Sequence, residues 1–97
     1  MTPVKRFDII IEALHTQEVV KAIDAAGIDG YTLIRDVAGR GDRGERMGDE
    51  LTDVFRNCCF IVAVPEAKAA RFQEALRPIL HDFGGVCLVS DSLWLKH

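Results

Sequence analysis

The stretch CCFIVAV, residues 58–64, is apolar at every position. Such a strand is typical of the centre of a sheet, where both of its faces are covered. The segment FDIIIEA, residues 7–13, is rich in β-branched residues and predicts a second strand, with Ile9 and Ile11 on one face and Ile10 on the other. We expect these two strands, the most apolar of the chain, to lie at the centre of one sheet.

Between these two strands, the sequence predicts a helix and a more polar strand. The helix runs from about residue 17 to residue 26, with Thr16 as its cap and Gly27 in the left-handed conformation that ends helices. Residues 31–37 then predict a strand at the edge of the sheet, because three of their side chains are polar or charged: Thr32, Arg35 and Asp36.

A second helix follows the apolar 58–64 strand. It begins at Pro65-Glu66, since proline is tolerated at a helix start, and ends at Gly84-Gly85. Pro78 removes a backbone donor inside this helix, so we expect a kink or a split near Arg77. Residues 86–90 form the last predicted strand.

The predicted order, βαββαβ, indicates a single α+β domain over residues 1–97. It is the ferredoxin-like arrangement, a four-stranded antiparallel sheet with two helices on one face. The opposite face carries Ile10 and alternate residues of the 58–64 strand, and it needs a cover. A second copy of the chain is the economical cover.

Composition limits the classes of partner. The chain has 97 residues and a formal net charge of -3. Nonspecific binding to nucleic acid usually needs a basic domain, so no nucleic-acid partner is predicted. No apolar run approaches the ~20 residues of a membrane span, and the N-terminal residues do not resemble a secretory signal. We therefore expect a cytoplasmic protein that does not itself span a membrane.

The cysteines and histidines do not predict a metal site. Cys58 and Cys59 are adjacent and Cys87 stands alone, so we expect small buried apolar side chains rather than ligands. The histidines, at positions 15, 81 and 97, are widely spaced. Since no nucleophile and base can be paired either, no catalytic residue is nominated, and the chain is predicted not to be an enzyme.

The segment between the edge strand and the central strand, residues 39–55, is longer than a hairpin needs, and such a segment is either functional or merely a connection. Gly39 and Gly41 allow positive φ angles that would turn successive N–H groups toward an anion, as in a nest. Guanidinium groups, which pair well with phosphate or carboxylate, recur here at every third residue: Arg40, Arg43 and Arg46.

Three other functions fit parts of this pattern. An RNA-binding module of the same topology presents aromatic residues and glycine on its third strand, whereas residues 57–62 hold one aromatic and no glycine. An ACT-like amino-acid-binding module would not require the arginine segment. Glu45, Asp49 and Glu50 could hold magnesium in a weak nucleotide hydrolase, or could simply keep the segment hydrated. Trp94 is expected to seal an interface rather than to stack on a base.

The stretch AAGIDGYTLIRDVAGRGDRG, residues 25–44, resembles the signature of PII-type signalling proteins. In that family a Gly-Ile-x-Gly-x-Thr turn leads into the second strand, and Gly-x-Gly opens a long, flexible T-loop. Val64-Pro65-Glu66 also matches, so the resemblance spans essentially the whole chain. The edge strand is one residue longer than the family pattern between Thr32 and Gly39, the uridylylated tyrosine has no counterpart, and the lysine-rich B-loop is reduced to residues 83–85.

The T-loop start is similar to the Gly-x-Gly-x-Arg-x-x-Arg pattern of PII-like proteins linked to bicarbonate uptake and carboxysomes. The short C-terminus favours the carboxysome-associated form. The resemblance implies a homotrimer with adenine-nucleotide sites in the clefts between subunits. The residues it carries over to these sites are Gly30, Tyr31, Thr32, Gly39, Arg40, Gly41, Arg43, Arg46, Gly84, Gly85 and Lys96.

These residues have distinct expected roles. Residues 30–32 would approach the adenine or the ribose, and residues 39–46 would hold the phosphates. Gly84 and Gly85 would turn backbone N–H groups to the ligand, while Lys96 would reach a phosphate from the adjacent subunit. We expect a non-catalytic sensor for ADP, AMP or ATP, with bicarbonate as a candidate second ligand. Residues 47–55 would face a regulated partner, such as a bicarbonate transporter or a carboxysome-related protein.

Overall fold

The computed structural model describes residues 1–41, 44–46 and 56–96, with the backbone alone for residues 40, 41 and 44–46. The predictions for Arg43, for residues 47–55 and for His97 lie outside the described residues. The elements in chain order are β1 (Thr2–Glu12), a 3₁₀ turn (Ala13–His15), α1 (Thr16–Ala25), β2 (Thr32–Val37), β3 (Gly39–Gly41), β4 (Gly44–Arg46), β5 (Asn57–Pro65), α2 (Glu66–Phe83) and β6 (Val86–Trp94).

The main sheet has four antiparallel strands in the order β2-β5-β1-β6. This order confirms the predicted ferredoxin-like fold, with the two apolar strands at the centre and the polar strand at an edge. The pairing is continuous across the sheet, because Ile34 pairs with Cys59, Cys59 with Ile10, and Ile10 with Val86. β6 extends to Trp94, four residues beyond its predicted end.

The core lies between the two helices and one face of the sheet. Alternate residues of β1 and β5 point into it and are almost fully buried, as strand geometry requires. α2 contributes Phe72, whose ring centroid lies 4.9 Å from that of Phe7. The residues of lowest exposure in the core are Phe7, Ile9, Ile11, Val19, Ile23, Cys58, Phe60, Val62, Val64, Phe72 and Leu76.

The end of α1 has the predicted left-handed glycine, but its start differs from the prediction. Gly27 has φ 70°, its N–H bonds to the Asp24 carbonyl, and the Ile28 N–H bonds to the Ile23 carbonyl. This is a Schellman motif. The prediction of Thr16 as the cap is wrong, because Thr16 is the first helical residue and its hydroxyl donates to the Ala13 carbonyl at 3.1 Å.

Of the two outcomes predicted for Pro78, a kink or a split near Arg77, the split is wrong, since the helix continues from Glu66 to Phe83 through Pro78. Pro78 cannot donate to the carbonyl four residues earlier, which belongs to Glu74. Both residues are exposed, so water can bond to that carbonyl and the cost of the missing hydrogen bond is reduced.

Candidate functional site

The second and third strands of the predicted fold, now β2 and β5, are joined at one end of the sheet, which we call the loop end. Val37 pairs with Asn57 there, so the segment between them leaves and returns at adjacent positions. The end of β1 is tied to the same place, because the Ala13 N–H donates to the Arg56 carbonyl at 2.7 Å. The loop end is therefore a fixed base for the segment that carries the arginines.

β2 contains an irregularity just before it ends. Its register against β5 shifts between Arg35 and Val37, and Asp36 between them has φ 59°. One inserted residue in a left-handed conformation is how a β-bulge absorbs an extra position. The bulge turns the backbone just before Gly39.

The Asp36 side chain reaches across the loop end to Arg56. The Arg56 Nη1 donates to the Asp36 Oδ1 at 3.3 Å, and 37% of the Arg56 side chain and 51% of the Asp36 side chain are exposed. Sequence reasoning missed both residues as part of the site. The weak signal that could have pointed to Asp36 was its residue type, because an aspartate tolerates the left-handed conformation better than most residues do.

The first part of the predicted T-loop is a two-stranded antiparallel ribbon. Gly39 pairs with Arg46, and Gly41 with Gly44. The predicted anion nest is wrong at Gly39, which has no positive φ and lies in extended backbone with open space where a Cβ would stand. Because Gly41 lies in the same strand, the ribbon presents extended backbone rather than converging N–H groups.

The predicted adenine-side residues lie at the start of β2, on the free edge of the sheet. Gly30, Tyr31 and Thr32 are all exposed, and a Cβ at Gly30 would meet no atom within 4 Å. The Tyr31 ring packs on the core residue Phe60, with ring centroids 5.4 Å apart at 56°. This packing fixes the ring beside an open stretch of backbone, which is a suitable surface for a flat ligand.

The two glycines after α2 have structural tasks. Gly84 has φ 74°, and its N–H donates to the Leu80 carbonyl at 2.9 Å to close the helix. That N–H is therefore occupied, and its predicted role as a donor to ligand is wrong. Gly85 has φ 120°, and a Cβ there would lie 2.7 Å from the Ile10 carbonyl oxygen, so close approach to β1 requires glycine.

The structure does not bring the predicted nucleotide residues together within one chain. Residues 30–37 lie along the β2 edge, and residues 39–41 follow in the separate ribbon. Residues 84 and 85 precede β6 on the other edge of the main sheet, three strand spacings or about 14 Å from β2. Lys96 is exposed and follows the far end of β6, a strand of 9 residues that spans roughly 30 Å. A site that used both edges would need a second copy of the chain.

The cysteines are buried or half-buried and His15 packs on an aromatic ring, whereas His81 is exposed and pairs with Asp82. Burial, and then the charge of Asp8, raises the pKa of the Cys59 thiol and of the Cys87 thiol, so both stay protonated at neutral pH. Cys58 is buried in the core, as expected. The His15 ring stacks on the Phe83 ring, with centroids 4.0 Å apart. Over residues 1–41, 44–46 and 56–96, no three His, Cys, Asp or Glu side chains are grouped to hold a metal ion.

Comparison with known proteins agrees with this architecture. The family model for nitrogen regulatory protein P-II matches residues 4–96. The chain belongs to the P-II family. No curated protein matches it significantly.

Solved structures of P-II-like proteins are also similar to this P-II chain. CPII from Thiomonas intermedia K12, a nitrogen regulatory PII-like protein bound to ADP, AMP and bicarbonate, is 30% identical with a TM-score of 0.85, over 93% of this chain and 86% of that chain. A second structure of CPII, bound to ADP and bicarbonate, is also 30% identical, with a TM-score of 0.83 over 93% of this chain and 86% of that chain. A PII-like protein from Thermus thermophilus shares the fold. It is 23% identical, with a TM-score of 0.76 over 94% of this chain and 88% of that chain.

Proposed function

We propose that this P-II chain is a non-catalytic sensor that binds an adenine nucleotide in the clefts between the subunits of a homotrimer, with bicarbonate as a second ligand. The observation that carries the proposal is that residues 30–32 and Gly85, both predicted to contact the nucleotide, lie at opposite edges of one sheet. CPII, at 30% identity, is bound to ADP, AMP and bicarbonate, which supports these ligand classes.

The face of the sheet opposite the helices supports assembly with further copies. We call it the open face. It carries Ile10 and Ile61 at its centre, half-buried in the single chain, and four large apolar side chains that are 43–62% exposed: Ile34, Val86, Leu88 and Trp94. An apolar surface on this scale is typical of an interface. Assembly through this face would also bring β2 of one copy near β6 of another.

Phosphate binding is proposed at the ribbon and the residues next to it. Residues 39–41, Arg43 and Arg46 would hold the phosphates, because charged guanidinium groups form strong bidentate hydrogen bonds to them. Residues 30–32 on the free edge of β2 would hold the adenine and the ribose. The backbone around Gly85 and the side chain of Lys96 would come from the adjacent subunit.

The regulatory output would come from the T-loop. A ligand shifts a two-state loop only by its difference in affinity for the two states, and arginines that meet phosphate in one state supply that difference. The proposed partner is a bicarbonate transporter or a carboxysome-related protein, so the role is control of inorganic-carbon uptake in the cytoplasm. In the part of the chain that the structure describes, no helix is both long and apolar enough to cross a bilayer.

The test is titration calorimetry of the purified chain with ATP, ADP and AMP, each with and without bicarbonate. We expect binding of at least one nucleotide, and a loss of about 10- to 150-fold in affinity for Arg46→Ala, the range of one to two charge-assisted hydrogen bonds. Arg71→Ala is the matched control, since Arg71 is exposed on α2 and is not among the predicted site residues.

Three outcomes would contradict the proposal. If no adenine nucleotide binds but amino acids raise the melting temperature, the chain is an ACT-like module. Metal-dependent phosphate release, lost on substitution of Glu45 or Asp49, would make it a weak hydrolase. Equal affinities of wild type and Arg46→Ala would remove the ribbon from the site.

A further inference from the structure

We propose that Asp36 and Arg56 form a clamp that fixes the direction in which the T-loop leaves the sheet and so positions the phosphate-binding ribbon. The proposal rests on the proposed nucleotide site and names positioning residues for it. It concerns the loop end, where the chain segments before and after the T-loop are adjacent, rather than the ribbon that would contact the ligand.

The backbone at Asp36 is the first observation. A positive φ is uncommon in residues other than glycine, and Asp36 is the one such residue recorded over the described parts of the chain, with φ 59°. Unfavourable backbone conformations persist where the surrounding structure holds them, and they cluster at binding sites and switch regions. The bulge therefore indicates a position where the direction of the chain matters more than regular pairing between strands.

The ion pair is the second observation. Asp36 and Arg56 are 20 positions apart in sequence. Their ion pair, with an Nη1–Oδ1 distance of 3.3 Å, connects the chain just before the T-loop to the chain just after it. Arg56 is well placed as an anchor, because its carbonyl accepts the Ala13 N–H at 2.7 Å. About half of the Asp36 side chain is exposed, so the pair contributes little to global stability and its main effect is local.

The chain geometry connects this clamp to the ribbon. Only Val37 and Ala38 separate Asp36 from Gly39, where the ribbon begins. Val37 is itself paired with Asn57, next to Arg56. A change in the backbone at Asp36 would therefore be transmitted directly to the orientation of Gly39 and of the strand that follows it.

The test distinguishes the effect of the left-handed backbone at Asp36 from the effect of the ion pair with Arg56. Asp36→Gly keeps the left-handed backbone and removes the carboxylate, while Arg56→Gln removes the charge on the other side. We expect each to weaken nucleotide binding by roughly fivefold to tenfold, and the double variant to be no weaker than either single variant, because coupled residues are not additive. Arg56→Lys should restore part of the affinity.

A matched control is the exposed pair Arg77 and Glu74 on α2, which has a comparable Nε–Oε1 distance of 3.1 Å. Arg77→Gln should leave nucleotide affinity unchanged. Wild-type affinity in both Asp36→Gly and Arg56→Gln would overturn the clamp, and so would losses that simply add in the double variant.

Hydrogen exchange distinguishes failure of the clamp from failure of the proposed function. If the wild-type chain binds no adenine nucleotide, the function fails, but the clamp still predicts faster exchange of the backbone amides of residues 37–40 in Arg56→Gln than in Arg77→Gln. Equal exchange in the two variants would overturn the clamp whether or not nucleotide binds.

Discussion

The two faces of the sheet are built from neighbouring residues and have different tasks. On β5, Phe60 and Val62 point to the helices and have no exposed surface, whereas Ile61 between them is half-buried and points to the open face. The covered face is complete within one chain. Among the described residues, the open face also carries apolar side chains beside the Arg6–Asp8 pair, and several of them are exposed. The stability of the single chain therefore depends mainly on the covered face, while the open face is left for the proposed assembly.

The open face also carries a charged pair that the covered core does not. The Nη2 of Arg6 lies 3.1 Å from the Asp8 Oδ1, and 47% and 23% of their side chains are exposed. Charged groups within an apolar interface must stay paired, and they reject neighbours that would separate them. This pair would therefore restrict how further copies pack on the open face.

The largest expected effect is on the covered face. Phe60→Ala removes a fully buried ring that packs against Tyr31, and we expect it to lower the free energy of unfolding by about 3–5 kcal/mol, the cost of the lost transfer energy and of the cavity. Urea unfolding followed by circular dichroism measures the change. A loss below about 0.5 kcal/mol, the size typical of surface substitutions, would mean that the covered face is not the core.

On the open face, Ile61→Lys should separate assembly from folding. An unpaired ammonium group in an interface costs several kcal/mol, so we expect the trimer to dissociate while the circular dichroism spectrum of the folded chain is retained. Analytical ultracentrifugation measures the mass. Ala70→Lys, which adds the same charge on the exposed side of α2, should remain trimeric. A wild-type chain that is monomeric, or an Ile61→Lys variant that stays trimeric, would contradict assembly through this face.

The regular part of the fold could be predicted from the sequence because periodicity reports burial. The continuous apolar run at residues 58–64 correctly indicated a central strand, and Gly27 correctly marked the end of α1. Thr16 and Pro78 misled the prediction in part, because Thr16 bonds to the Ala13 carbonyl instead of capping α1, and α2 continues through Pro78.

The details at the loop end could be predicted only in part. The glycines and arginines of residues 39–46 marked the segment, but glycine permits extended strands as well as nests, so composition did not distinguish the ribbon. Gly84 was assigned to ligand because a helix-ending glycine and a ligand-binding glycine look alike in sequence. The Asp36–Arg56 contact depends on a bulge and on pairing across 20 residues, neither of which a local pattern encodes.

The smallest expected effect comes from an ion pair at the border of the covered face, at the end of the sheet away from the T-loop. Lys5 forms an ion pair there with Asp91, and this hydrogen bond and then the charge of Asp91 raise the pKa of Lys5 above its ordinary value of 10.5. Because the pKa is raised in the folded chain, the pair stabilises the fold below about pH 10.5 and loses this effect as the pH rises through the folded value.

Asp91→Asn should therefore lower the free energy of unfolding slightly at pH 8 and less at pH 11, measured by urea unfolding. Glu74→Gln, which removes a carboxylate on α2, should show no such convergence at alkaline pH. If the difference between wild type and Asp91→Asn were the same at both pH values, Asp91 would act through packing rather than through the charge of Lys5.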